Sequence, residues 1–251
     1  MHKFFVARDS FTVNSVKILG EDVKHMYRVL RLEPGDKISI NDCMGKEYIG
    51  EIIDINKTEV NVKLIEEIDL NNESSLSVNL YQGLPKSSKM DLIVQKATEL
   101  GVNKITPIIT DRVVVKSELG EFRKTDRWRR IALEACKQSK RSLIPQVEIP
   151  IEFEELLVQL KGIDLIVVPY ENEEGKGIKA MMKEIRHRDI KSAAVIIGPE
   201  GGFEVEEIKK LKALGAHIIT LGPRILRTET AGFVAISILM YELGDMGGLN
   251  Q

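Results

Sequence analysis

Along the first seventy residues, apolar and polar positions alternate in short runs: Lys3 to Ala7, Val16 to Leu19, Lys37 to Ile40, Glu47 to Ile53 and Glu59 to Glu66. In the last run Val60, Val62 and Leu64 share one side, the period of a half-buried strand. Glu33-Pro34-Gly35-Asp36 and Asp42-Cys43-Met44-Gly45 supply turn chemistry between runs. So many short strands predict a small β-barrel. One stretch breaks the series. Val23, Met26, Tyr27 and Leu30 recur at helical spacing, and Lys24, Arg28 and Arg31 are expected to form a basic stripe on the outward face.

Beyond it the period changes. Residues 71–77, rich in Asn and Ser, follow neither pattern and are predicted to link a module at 1–70 to a second at 78–251. There, apolar runs at Val78 to Gln82, Lys104 to Ile109, Ile163 to Val168, Ala193 to Ile197 and His217 to Leu221 alternate with helical patterns. The first helix is expected to open at Ser88 and stop at Gly101, and a second to be capped by Thr125, with Trp128 on its buried face. Helices over Ile178 to Arg186, Val205 to Leu214 and Glu229 to Leu243 follow the later strands. Such alternation predicts an α/β fold with a mostly parallel sheet covered on both faces. The last helix is apolar almost all round, which suits either a deep core or a subunit interface.

Composition narrows the class. The chain has 251 residues, 43% hydrophobic and 29% charged, with a net charge of −2, so a nucleic-acid argument must rest on local charge. Cys43 and Cys136 are too few for a disulfide framework or a cysteine zinc site, and the four histidines lack metal-ligand spacing, so no metal is expected. The cysteine usage favours a reducing, cytoplasmic setting, and no signal peptide or membrane span is predicted.

Chemistry concentrates in two loops, Ile196-Ile197-Gly198-Pro199-Glu200-Gly201-Gly202-Phe203 and Leu221 to Ala231. Each follows a predicted strand and leads into a helix, the position where open α/β sheets bind ligands. Glycines there let a ligand approach the backbone. Glu204, Glu206 and Glu207 crowd the start of the following helix and would repel a pyrophosphate, so a ligand without phosphates is indicated. Gly175-Lys176-Gly177 is only a weak dinucleotide look-alike behind Glu171, Glu173 and Glu174.

In order and spacing, Gly-Pro-Glu-Gly-Gly-Phe followed by Leu-Gly-Pro-Arg-Ile-Leu-Arg-Thr-Glu-Thr-Ala resembles the signature of the ribosomal RNA uridine-N3 methyltransferases of the RsmE type, within the SPOUT superfamily. Gly83-Leu84-Pro85-Lys86, Lys89-Met90-Asp91, Gln95 to Val102 and Glu134 through Arg141 extend the likeness, and the N-terminal module is similar to the family's PUA-like RNA-binding barrel. The resemblance implies a trefoil knot, a homodimer, S-adenosyl-L-methionine as methyl donor and small-subunit ribosomal RNA as partner. By the same likeness, Ile197, Gly198, Pro199, Gly201 and Gly202 would line one side of the donor, and Leu221, Gly222, Arg224, Ile225, Leu226 and Ala231 the other. Pro169 and Tyr170 would add a third wall.

Uracil N3 carries a proton that must be removed, by a base or by cations that stabilise the resulting anion. Glu229 is the candidate base and Arg227 the candidate cation; Glu229 also suits a first-turn acid behind a Thr228 N-cap, and Arg227 a simple ion pair. Between Arg112 and Arg141, ten Lys or Arg face four Asp or Glu, a local +6 that, with Lys86 and Lys89, predicts an RNA contact surface. Two alternatives remain open: a related enzyme acting on another RNA position such as a ribose 2′-hydroxyl, and a non-catalytic ribosome-assembly protein.

Overall fold

The computed structural model describes residues 1–68, 72–86, 89–113 and 121–248, with residues 121–123 described by backbone only. Its contacts divide the chain into two compact units, Met1–Glu73 with Lys140–Ile144, and Ser74–Ser139 with Pro145–Gln251.

The first unit is a five-stranded sheet in the order β1-β3-β4-β5-β2, formed by β1 (Lys3–Phe5), β2 (Ser15–Leu19), β3 (Lys37–Asn41), β4 (Glu47–Ile55) and β5 (Glu59–Ile68). All pairings are antiparallel except β1 with β3. The alternation read from the sequence is what closes its core, where Ile18, Ile38, Ile40, Ile52, Val60 and Val62 meet around Met26. Arg141 and Ser142 return to this unit: the Arg141 guanidinium is 2.7 Å from Glu73, and Asn41 Nδ2 donates to the Ser142 carbonyl.

The helical stretch departs from expectation. A four-residue α1 (Glu21–Lys24) runs into a π-helix, His25–Leu30, which Arg31 ends in the left-handed region at φ 53°. A π-helix adds about one residue per turn, so Lys24, Arg28 and Arg31 do not form the α-helical stripe. Val23 and Met26 are buried, whereas Tyr27, expected on the apolar face, is exposed.

The second unit is built on a parallel sheet in the order β12-β10-β11-β6-β7-β8, with β9 also on β7. Its strands are β6 (Ser77–Gly83), β7 (Lys104–Ile109), β8 (Gln146–Val147), β9 (Ile151–Glu152), β10 (Leu165–Pro169), β11 (Ser192–Ile197) and β12 (His217–Ile219). Both faces are covered, which is why β10 and β11 read as unbroken apolar runs. Ala194 and Ile196 of β11 pack with α4 (Phe153–Gln159) and α6 (Val205–Ala213). On α2 (Lys89–Glu99) pack α3 (Glu121–Ser139) and α7 (Thr228–Glu242), and α7 also touches β6 and β11. Trp128 is buried as expected, but Thr125 is a buried residue inside α3 rather than its cap; Ser88 lies outside the described residues. The remaining helix, α5 (Ile178–Ile185), begins after Gly177.

Around β12 the chain has an unusual path. Tyr170 N, just past β10, donates to the Ile219 carbonyl on one side, while Thr220 N donates to the Lys176 carbonyl and Gly177 bridges Thr220 on the other. Residues 219 and 220 are therefore bracketed by the two ends of a single segment, 170–177.

Candidate functional site

The strands of a parallel sheet end together, and their following loops gather at one edge. Here the segments after β10, β11 and β12 enclose one cavity of about 1030 Å³. Every residue assigned by resemblance to the methyl donor lies on its wall: Ile197, Gly198, Pro199, Gly201 and Gly202 from one loop, and Leu221, Gly222, Arg224, Ile225, Leu226 and Ala231 from the other. Pro169 and Tyr170 line it as well, followed by Glu171, Glu173 and Glu174.

Close packing explains the first loop's composition. A Cβ on Gly83, at the end of β6, would stand 2.5 Å from Pro199 Cδ, so only glycine lets this strand run under the loop. Gly202 adopts φ +70° and a Cβ there would collide with the Glu171 carboxylate. Gly201 plays another part than the expected one, because its Cβ would point at Arg112 Cβ, 3.1 Å away, and not into the cavity.

Three polar ties hold the loops. Thr228 Oγ1 donates to the Gly198 carbonyl at 2.6 Å and accepts from Gln82 Nε2 at 2.8 Å, joining β6, the glycine loop and α7 through buried groups. Arg227 is the N-cap residue of α7, so Thr228 is not the cap, and its hydroxyl is committed to the loop. Arg112 grips both Glu204 oxygens at 2.7 and 3.1 Å and donates to the Gly201 carbonyl at 3.0 Å. Its hydrogen bond to Glu204 raises the Arg112 pKa and holds the Glu204 carboxyl below the ordinary carboxylate value. The third tie is Lys89, whose ammonium lies 3.0 Å from Glu200 Oε1 and 3.4 Å from Glu229 Oε2. Burial alone would raise the Glu200 carboxyl, but hydrogen bonds from Lys89 and from backbone amides outweigh it and leave its pKa lowered.

The cavity suits an adenosyl sulfonium. Among the described residues, the amides of Arg224, Ile225 and Leu226 have no hydrogen-bond partner, which leaves backbone donors open to a heterocycle's edge. Ile225 is 87% exposed on the cavity rim, an apolar side chain that a bound ring would cover. Glutamates 171, 173 and 174 disfavour a polyphosphate and favour a cation.

The acceptor and RNA assignments need revision. Glu229 is not on the cavity wall; it stands behind Lys89, with Oε2 buried and no hydrogen bond of acceptable geometry. The acid beside Lys89 that does line the cavity is Glu200. Arg227 also lines it and has no ion pair among the described residues. Arg141 is 4% exposed and bound to Glu73, so its guanidinium is withdrawn from any RNA surface. Arg112 and Lys89 are loop ties within the second unit, and the amide of Lys86 caps Glu200 while its side chain is exposed. In the first unit Lys24 pairs with Glu21 at 3.0 Å, whereas Arg28 and Arg31 are exposed and unpaired among the described residues.

A parallel sheet ending in two glycine-bearing loops, in a chain that also carries a separate β unit, defines a class. A sequence profile described as RNA methyltransferase domain matches residues 72–240, and one described as RNA methyltransferase PUA domain matches residues 18–65. Ribosomal RNA small subunit methyltransferase E of Bacillus subtilis is 36% identical over 90% of this chain and 89% of its own length. The corresponding protein of Aquifex aeolicus is 33% identical over 87% and 91%. A crystal structure of ribosomal RNA small subunit methyltransferase E from Neisseria gonorrhoeae bound to S-adenosyl methionine superposes with a TM-score of 0.82 at 31% identity, covering 98% of this chain and 99% of that one. A putative methyltransferase from Legionella pneumophila, also in complex with S-adenosyl methionine, gives 0.76 at 30% identity over 97% and 98%. The chain belongs to the ribosomal RNA small subunit methyltransferase E family.

Proposed function

We propose that this protein transfers a methyl group from S-adenosyl-L-methionine to N3 of a uridine in small-subunit ribosomal RNA. The observation that carries the reading is the convergence of both glycine loops on one cavity with open backbone amides. When bound, the donor supplies an electrophilic methyl on a sulfonium. The chain's own residues then bind and orient: Arg224 to Leu226 offer amides, Ile225 closes over the ring, and the acidic 171–174 wall favours positive charge. Holding the methyl and acceptor in line supplies much of the rate without a nucleophile.

Residues 1–70 are proposed to contact RNA through Arg28 and Arg31, and the bracketing of residues 219 and 220 by segment 170–177 supports a trefoil knot in the second unit. A homodimer is proposed on α7. Gly232, Ala235, Ile236, Leu239 and Met240 face its own unit, while Phe233, Val234 and Ile238 stay half-exposed and Tyr241 exposed on the other side. The setting proposed is the cytoplasm, where ribosomal subunits mature; among the described residues no helix is long and apolar enough to cross a membrane.

The test is transfer of labelled methyl to small subunits lacking the modification, followed by nucleoside mass mapping. The expected product is 3-methyluridine. Label on a ribose hydroxyl would instead assign the alternative acceptor, and no label on subunits or RNA would favour a non-catalytic role.

A further inference from the structure

Lys89 and Glu200 are 111 positions apart in sequence, yet they meet on the cavity wall at 3.0 Å. Lys89 is the one lysine among the described lining residues. Its ammonium has three N–H groups, of which Glu200 and Glu229 take at most two, so one stays available to the cavity. Glu229 supplies a buried counter-charge behind it. Arg224 and Arg227 also line the cavity but, among the described residues, carry no ion pair that fixes them. Lys89 is thus the cation whose position is set before any substrate arrives, which is what electrostatic stabilisation requires.

An acceptor and a donor side by side match a ring N–H next to a carbonyl, which uracil offers at N3 and guanine at N1, and reject cytosine and adenine, whose corresponding ring nitrogens carry no proton and adjoin an amino group; the uridine reading above selects uracil. We propose that Glu200 and Lys89 form the uracil-reading pair: a Glu200 oxygen accepts the N3–H, and Lys89 donates to the neighbouring carbonyl oxygen. This rests on the uridine-N3 reading above. As the reaction proceeds, the N3–H bond breaks and its proton passes to Glu200. The electron pair left on N3 forms the N–CH₃ bond while the S–CH₃ pair returns to sulfur. Carboxylate and sulfonium charges are consumed together, and the proton later leaves to solvent. Lys89 holds the negative charge that collects on the carbonyl oxygen in between, which makes Lys89 and Glu200 catalytic and Glu229 a positioning residue.

Full-length wild type, Lys89→Met and Glu200→Gln are compared on reconstituted small subunits whose RNA carries either uridine or 5-fluorouridine, with S-adenosylmethionine affinity measured by calorimetry. Fluorine at C5 acidifies N3, so an anion-stabilising cation matters less. Lys89→Met cuts a loop tie as well as removing a charge, so it is expected to weaken cofactor binding by no more than about tenfold, as loss of the Arg112 tie does, and to slow transfer at saturating cofactor by about 10²- to 10³-fold on uridine, with the deficit at least about tenfold smaller on 5-fluorouridine. Glu200→Gln keeps an acceptor but not a base, and its rate is expected to rise with pH as hydroxide replaces the carboxylate. An equal Lys89→Met deficit on both RNAs would overturn the proposal. So would a loss of cofactor affinity in Lys89→Met of more than about tenfold, which would assign the ammonium to the donor's carboxylate. Wild type that methylates neither RNA fails the uridine reading itself, a separate outcome.

Discussion

Thr228 shows how one side chain ties chemistry to fold. Its hydroxyl links the Gly198 carbonyl to Gln82, and Gln82 Oε1 is already without a partner. Thr228→Val keeps the shape but leaves the half-buried Gly198 carbonyl and one N–H of the buried Gln82 amide without their partner, so a loss of about 1–3 kcal/mol is expected by denaturant titration, with weaker cofactor binding. A variant as stable as wild type would show that the hydroxyl does not tie the loop. The motif made the cavity-lining loops legible, because glycine and proline mark a loop whatever it binds. The Lys89 and Glu200 pairing was not legible, since nothing in a linear pattern brings positions 111 apart together. Nor did the pattern separate Glu229 from the cavity, because helix phase does not reveal which atom a neighbouring lysine covers.

Among elements, strand and helix alternation in the second unit was readable because doubly covered strands are continuously apolar and their helices amphipathic. Missed were β8 and β9, two residues each, and α4, which follows β9 directly; segments so short carry no period. The π-helix at His25–Leu30 escaped because its apolar spacing passes for an α-helix. The joint between β10 and β11 allows a pH test. Asp164, before β10, accepts hydrogen bonds from the Ser192 hydroxyl and from the Lys191 and Ser192 amides, which lower its pKa. A carboxyl whose folded pKa lies below the unfolded value of about 3.9 contributes stability above that pH and loses it as pH falls through the folded pKa. Asp164→Ala is therefore expected to melt below wild type at pH 7, with the gap closing under about pH 4. A gap independent of pH would rule out this linkage. Likewise Arg112→Ala frees Gly201 and Glu204 together and is expected to weaken cofactor binding about tenfold in calorimetry, more than it lowers the melting temperature.

For the whole molecule, the proposed division of labour gives one unit the RNA contact, through Arg28 and Arg31, which are unpaired among the described residues, and the other the cavity. Binding of single-stranded RNA is expected to weaken with salt at a log-log slope near about −3 for four phosphate contacts, and Arg28→Ala with Arg31→Ala to reduce it by about 1.4. An unchanged slope would remove that surface from the account. Ile238→Asp on α7 should convert a sedimenting dimer to monomer; a wild-type monomer would contradict the proposed interface. The central claim, that both glycine loops form one slot for an adenosyl sulfonium, is tested most directly by calorimetry of S-adenosylmethionine against wild type and Gly202→Ala. One site per chain is predicted, weakened at least about tenfold in the variant, because a side chain at the φ +70° of position 202 is strained and the loop must shift to relieve it. Absence of binding to wild type, or equal affinity in the variant, would contradict it.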